Sequence, residues 1–348
     1  MVLTGQHPDL DLAAFGMTGF PVAELDCAGQ PDPYAHVAQV ARRIGPAIDD
    51  TRLVVVHGDT SSALGGALGA AMTGRAVAHV EAGLRSHDRR NPWPEEDFRI
   101  AIDRAADLLF APTLLNEANL RREGARGTIV VTGNTGIDAL LEQVPRLSGP
   151  ARKRVRHILV TCHRRETWGE GLQAIAGCLR RIAGLGDVTV TIVLHPNPTV
   201  ATEMRRLLGC CANVELRSPC AHFEMLQLMR SSDLILSDSG GLQEEAPALG
   251  IPLLVLRDKT ERPEGILNGN AILAGRDPDT IVATVDRLLS DPRALAAMSK
   301  PALPYGDGNA AVRIGDAIAH WLTSANETAG STCRLDHFEI KSRAGRAL

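Results

Sequence analysis

Aromatic residues are scarce in this chain, at 3% of 348 residues, so its cores must be built from Ala, Val, Leu and Ile. Total hydrophobic content is nonetheless 44%. Aliphatic cores of this kind suit parallel sheets covered on both faces by helices. The seven cysteines form no CxxC pair, and no His/Cys/Asp spacing suggests a metal site. An odd cysteine count in so long a chain reads as reduced thiols in a cytosol. Long basic runs are absent and the net charge is -4, which argues against a nucleic-acid or anionic-membrane partner. The opening "MVLTGQHPDL" lacks the basic and apolar regions of a signal peptide, and no apolar run reaches membrane-spanning length. The expectation is a soluble, cytoplasmic protein.

What is present is alternation. "RLVVVHGD", "AVAHVEAG", "LLFAP" and "TIVVTGN" read as strands separated by helical stretches, among them "PEEDFRIAIDRAAD" over 94–107, with Pro near its start and acids in its first turn. After "VPRLSGPARKRV" the alternation restarts with "RHILVTCH", "VTVTIVLHPNP", "NVEL", "DLILSDSGG" and "IPLLVLRD". Strands alternating with helices imply parallel βαβ units. The predicted fold is α/β, with two Rossmann-like domains whose parallel sheets face each other across a cleft. The first spans 1–148 and the second 156–305. A helical segment, 306–323, and a disordered tail, 324–348, follow. "VLTGQH" looks like a strand end at residue 2, so the central strand that opens a doubly wound domain is absent from the pattern. Unpaired sheet edges and a core cavity are the expected consequence. A poorly folded or inactive 348-residue form, rescued by an upstream extension, follows as a hypothesis.

Ligands of open parallel sheets bind beyond the carboxyl ends of the strands. Polar groups collect there: His57-Gly58-Asp59, Glu81 to Arg85, Gly133-Asn134-Thr135, His163-Arg164-Arg165-Glu166, His195 to Pro198, Ser239-Gly240-Gly241, and Arg257 with Arg262. Ser239-Gly240-Gly241 opens a helix, so its backbone can approach a ligand and offer free N–H groups to an anion; an ordinary strand-to-helix turn is the alternative. One helix terminus contributes about 0.3–1 kcal/mol, so a diphosphate needs basic help, which Arg262, His163, Arg164 and Arg165 can supply. Of the two acids that follow, Glu244 reads as a macrodipole-favoured residue of the first helical turn, and Glu245 as an acceptor for ribose hydroxyls. Asp59, Glu81 and Glu95 are the candidate acid/base set, because paired carboxylates in a dry cleft are driven to different pKa values. His57 and His79 have the simpler reading of turn or core histidines.

Together "HGDTSSALGGALGAA", "VAHVEAGLRS", "PWPEEDFR", "VTGNTGIDALL", "ILVTCHRRETWGEG", "SDSGGLQEEAPALGIPLLVLRDKTERPEG" and "PYGDGNA" resemble the non-hydrolysing bacterial UDP-N-acetylglucosamine 2-epimerases, in order from about Leu3 to about Trp321. The resemblance implies a GT-B fold, a homodimer, no metal or other cofactor, and a C-terminal helix returning to the first domain. It implies interconversion of UDP-N-acetylglucosamine and UDP-N-acetylmannosamine for cell-envelope polysaccharides, by UDP elimination to 2-acetamidoglucal and re-addition. By the same likeness Asp59, Glu81 and Glu95 are catalytic. His163, Ser239, Gly240, Gly241, Glu245 and Arg262 hold the UDP part, His163 counting with the catalytic residues as well and Arg164 with the substrate-binding ones, and Arg99 supports the cleft. The chain departs from the family at its start, where a Gly-Thr-Arg-Pro-Glu loop is usual, and at Cys162, where glycine usually precedes the histidine; a thiol there is expected to crowd the phosphate loop. The rival readings are a GT-B glycosyltransferase, a hydrolysing epimerase and a non-catalytic nucleotide-sugar binder.

Overall fold

The structure, a computed structural model, describes residues 1–6, 10, 12–13, 16–148, 155–162 and 170–324. His163, Arg164, the linker core and the tail beyond 324 lie outside the described residues, as do the expectations placed on them. Twelve strands occur among the described residues: β1 (Val2–Leu3), β2 (Ala23–Glu24), β3 (Leu53–His57), β4 (Ala76–Val80), β5 (Leu108–Ala111), β6 (Thr128–Val131), β7 (Arg156–Thr161), β8 (Val188–Val193), β9 (Val214–Arg217), β10 (Leu234–Ser237), β11 (Leu253–Val255) and β12 (Ala271–Leu273). They form parallel sheets ordered β1-β2, β3-β4-β5-β6 and β12-β11-β10-β7-β8-β9, with a helix between each pair of successive strands from β2 onward. This is the two-part Rossmann-like, GT-B arrangement.

In the six-stranded sheet the strand order reverses between β7 and β10. In open α/β sheets such a reversal marks a crevice at the carboxyl ends of the strands. Thr161 and Ser237, the last residues of those strands, join hydroxyls at 2.7 Å and fix the floor of the crevice. Cys162 follows directly, but it is buried within the aliphatic core of this half rather than in the crevice. Burial, then the Asp238 charge, pushes its thiol well up. The side chain takes the inward position of an alternating strand end, with Ile158 and Val160, while the loop it was expected to crowd lies outside the described residues.

The helix foreseen over 94–107 runs Glu95–Ala105, and the last helix occupies 310–324. Ile314, Ala317, Ile318 and Trp321 of that last helix pack on Ala78, Val80, Leu108 and Phe110 of the four-stranded sheet. Chain order thus returns to the first half after completing the second.

Among the described residues no strand pairs with the outer edge of β3. β1 and β3 do not pair, and a cavity of about 650 Å³ separates them, lined by Val2, Ile44, Ile48, Val54, Val56 and Ala63 among others. Val55 on this edge strand is 50% exposed, high for the middle of a Val-Val-Val run. Among the described residues β3 pairs with β4 alone, and the cavity lies on its other side. Apolar voids of this kind forfeit dispersion contacts, and filling them commonly yields about 0.5–2 kcal/mol. Ala63→Leu, a good helix former placed on the cavity wall, should therefore raise the urea midpoint at constant m-value. An unchanged or lower midpoint would show that the void closes in solution.

Candidate active site

The crevice of the six-stranded sheet faces the carboxyl ends of β3 and β4, and carboxylates from one half meet arginines from the other. Ser239 caps the helix Gly240–Leu249, but its side chain makes no capping bond, so the first N–H groups of that helix stay available to an anion. The Arg262 guanidinium lies over this corner: a Cβ on Gly240 would stand 2.9 Å from Nη1. Any side chain at Gly240 would displace the cation. Tyr305, from "PYGDGNA", accepts from the Gly265 N–H and donates to the Arg262 carbonyl, both at 2.9 Å, anchoring the arginine's backbone.

Arg262 touches three carboxylates. Nε bonds Glu244, Nη1 bonds Glu261, and Nη2 lies 3.7 Å from Glu81 across the cleft. The helix begins at Gly240, so Glu244 sits in its second turn, buried, rather than in the first turn where the macrodipole would favour an acid. Its partner is a cation, which corrects the reading of Glu244 as a macrodipole-favoured acid of the first turn. Burial pushes its carboxyl up, against the pull of Arg262 and with the Glu81 charge adding, to about 7. Glu245 points elsewhere and accepts from His222 at 2.7 Å.

Glu81 follows β4 with φ 70°, a left-handed conformation unusual for glutamate. Strain of this kind costs about 1–3 kcal/mol and clusters at functional sites. The conformation aims its carboxylate at three groups: Asn134 Nδ2 at 2.7 Å, His57 Nε2 at 3.5 Å and Arg262. Burial alone would raise this carboxyl, but the His57 hydrogen bond and the Arg262 charge bring it down to about 2. His57 is raised in turn, chiefly by its bond to Glu81. Glu81 is thus an ionised carboxylate at neutral pH.

Asp59 is held by Arg99, which also reaches Glu96 at 3.1 Å and Glu261 at 3.7 Å. Glu96 accepts from the Ser86 and His87 N–H groups at 3.0 and 2.9 Å, so it shapes the loop after β4. Asp59 and Glu95 line one cavity of about 740 Å³ together with Gln6, Thr60, Arg90 and Trp93. That volume suits a small ligand such as a sugar. The structure therefore brings Asp59, Glu81, Glu95, Arg99, Ser239, Gly240, Gly241 and Arg262 to one cleft, with Glu245 at its His222 margin. His57, Glu244 and Glu261 were missed as functional candidates. His57 ends β3 beside Gly58-Asp59, a position that could have marked it; Glu244 carried no local signal, because Arg262 is 18 residues away, whereas Glu261 stands directly beside Arg262 and could have been collected with it.

Beneath the site lies a buried network. His79 stands between Asp103 Oδ1 at 2.6 Å and the Gly58 carbonyl at 2.9 Å. Asp103 Oδ2 accepts from Arg85 at 2.6 Å and from the Gly83 N–H at 3.1 Å. Gly83 has φ 83°, and a Cβ there would collide with the Asn116 carbonyl, so "EAGLR" needs this glycine for helix and loop to meet. Among the described residues no group of three or more His, Cys, Asp or Glu is arranged to hold a metal ion.

A protein-family profile for UDP-N-acetylglucosamine 2-epimerase matches residues 1–319. The chain is 43% identical over 281 residues to a probable UDP-N-acetylglucosamine 2-epimerase of Ralstonia solanacearum, covering 76% of this chain and 75% of that one. Among solved structures, a putative enzyme of the same name from Listeria monocytogenes superposes with a TM-score of 0.83 at 36% identity, over 92% of this chain and 87% of the other. The Neisseria meningitidis UDP-GlcNAc 2-epimerase, solved bound to UDP-GlcNAc, gives 0.81 at 33% identity, over 89% and 87%. A strained glutamate facing an arginine across a GT-B cleft and a profile match over nine-tenths of the chain point the same way: the chain belongs to the UDP-N-acetylglucosamine 2-epimerase family.

Proposed function

We propose that the protein interconverts UDP-N-acetylglucosamine and UDP-N-acetylmannosamine without hydrolysis, through the residues that line this cleft. The observation that carries the reading is the division of labour: carboxylates from the first half, with Glu81 held ionised, and a guanidinium with an uncapped helix N-terminus from the second. Carbon 2 of a glycosyl phosphate has no neighbouring carbonyl to acidify its proton. The workable route is elimination. A carboxylate takes the carbon 2 proton, the carbon 1–oxygen bond breaks with its electron pair going to the β-phosphate, and a carbon 1–carbon 2 double bond forms. Re-addition of UDP with protonation from the opposite face gives the epimer.

Two acid/base groups are therefore required, and Glu81 with Asp59 or Glu95 fills these roles. Arg262 and the Gly240–Gly241 N–H groups hold the departing diphosphate, where charge develops. Ser239 belongs to the same cradle, and Glu245 to the ribose end. Following the family resemblance, the protein acts as a homodimer in the cytoplasm and supplies cell-envelope polysaccharide synthesis. No helix among the described residues is long and apolar enough to cross a membrane.

The test is proton NMR of UDP-N-acetylglucosamine incubated with the full chain in deuterium oxide. Deuterium entering carbon 2, with UDP-N-acetylmannosamine accumulating, is the expected result. Release of free N-acetylmannosamine would instead identify a hydrolysing enzyme. Absence of exchange from a protein shown to be folded would overturn the reading.

A further inference from the structure

We propose that Glu244 is a positioning residue that takes up a proton when a nucleoside diphosphate binds, so that Arg262 is released from its carboxylate partners to the phosphate. The proposal rests on the cleft being a UDP site, as argued above, and concerns how the free protein stores its phosphate-binding cation.

Three carboxylates share Arg262, and they differ in what else holds them. Glu261 has Arg257 at 2.9 Å and Arg99 at 3.7 Å. Glu81 has His57 and the Asn134 amide. Glu244 has, among the described residues, Arg262 as its single cationic partner. A diphosphate arriving at the Gly240 corner adds at least two negative charges beside that guanidinium and draws its positive charge away. Glu261 and Glu81 keep compensating partners. Glu244, buried and left facing like charge, has none among the described residues, and a buried carboxylate in that position binds a proton.

The groups facing Glu244 all bear on this balance: Arg262 and Glu261 from the segment after β11, Glu81 and His57 across the cleft, Glu245 on its own helix, and Tyr305. Its carboxyl already stands near neutrality in the free protein, at about 7, so the added charge acts within the working pH range. Once Glu244 is neutral, Arg262 is shared among fewer anions, and more of its charge is directed at the β-phosphate as the glycosidic bond breaks.

Isothermal titration calorimetry of UDP binding, repeated at pH 7.5 in buffers of different ionisation enthalpy, counts the protons taken up. A tenfold rise in the proton affinity of a group titrating near 7 gives about half a proton per UDP. The wild type is expected to take up that much more than Glu244→Gln. Because protonated Glu244 favours binding, kcat/KM should fall as pH rises past 7 in the wild type and lose that limb in Glu244→Gln. A purely structural glutamate would shift neither quantity. Should the variant not fold, the UDP-induced infrared difference spectrum of the wild type serves alone, with a new carboxylic-acid band expected. Equal proton counts, or no new band, overturn the proposal while leaving the UDP site intact. Failure of the wild type to bind UDP overturns the functional reading and this proposal together.

Discussion

Glu81→Gln is expected to lower kcat by about 10²–10⁴-fold, the usual contribution of a positioned acid or base, while UDP binds as tightly as before or more tightly. The carboxylate is held ionised by His57, Arg262 and Asn134, so it accepts a proton at any pH near neutral. Glutamine keeps the length, the Asn134 contact and the left-handed backbone, and removes the basic group alone. Loss of a negative charge beside Arg262 makes the corner more attractive to a diphosphate, which separates a catalytic role from a structural one. Steady-state kinetics together with UDP calorimetry would decide the matter. A variant with unchanged kcat would move the base to Asp59 or Glu95.

The pH dependence of the Glu81 cluster has a defined sign. Glu81 lies below its ordinary 4.5 at about 2, so its contribution to stability is complete above pH 4.5 and disappears as pH falls towards 2. His57 is raised above its ordinary 6.5, so the stability of its charged pair with Glu81 is present below 6.5 and fades as pH rises through the raised value. Both ends of the pair therefore hold together best in the mildly acid range.

Asp103→Asn is expected to destabilise the protein by about 3–5 kcal/mol, the cost of removing one partner from a buried charge network. Asp103 is 1% exposed and is the shared acceptor for His79, Arg85 and the Gly83 N–H. Burial would raise its carboxyl, but the His79 bond and the Arg85 charge hold it below its ordinary value. An asparagine can satisfy one of the donors but cannot balance the arginine, whose remaining acid, Glu123, is partly exposed. Urea denaturation should show a lower midpoint at unchanged m-value. The effect should reach the active site, because His79 also fixes the Gly58 carbonyl next to Asp59. A loss below about 1 kcal/mol would mean that water already shares the network.

Strand and helix order, the doubled α/β pattern and the seven polar strand ends were legible in the sequence, because apolar periodicity and turn chemistry are local properties of a chain. The same locality made Ser239-Gly240-Gly241, Asp59, Glu81 and Glu95 identifiable, since each directly follows a buried strand or opens a helix. Pairing across the cleft could not be anticipated. Glu244 and Arg262 are 18 residues apart, and Glu81 and Arg262 are 181 apart; only packing of the two halves determines which of several adjacent acids meets the guanidinium. That is why Glu244 read as a helix-start acid and His57 as a core histidine. The inward turn of Cys162 was likewise a matter of strand register. Sequence determined the fold class and which residue types stand at the strand ends, whereas tertiary structure decided which charges face each other, because ionisation in a buried cleft depends on distances that no local pattern encodes.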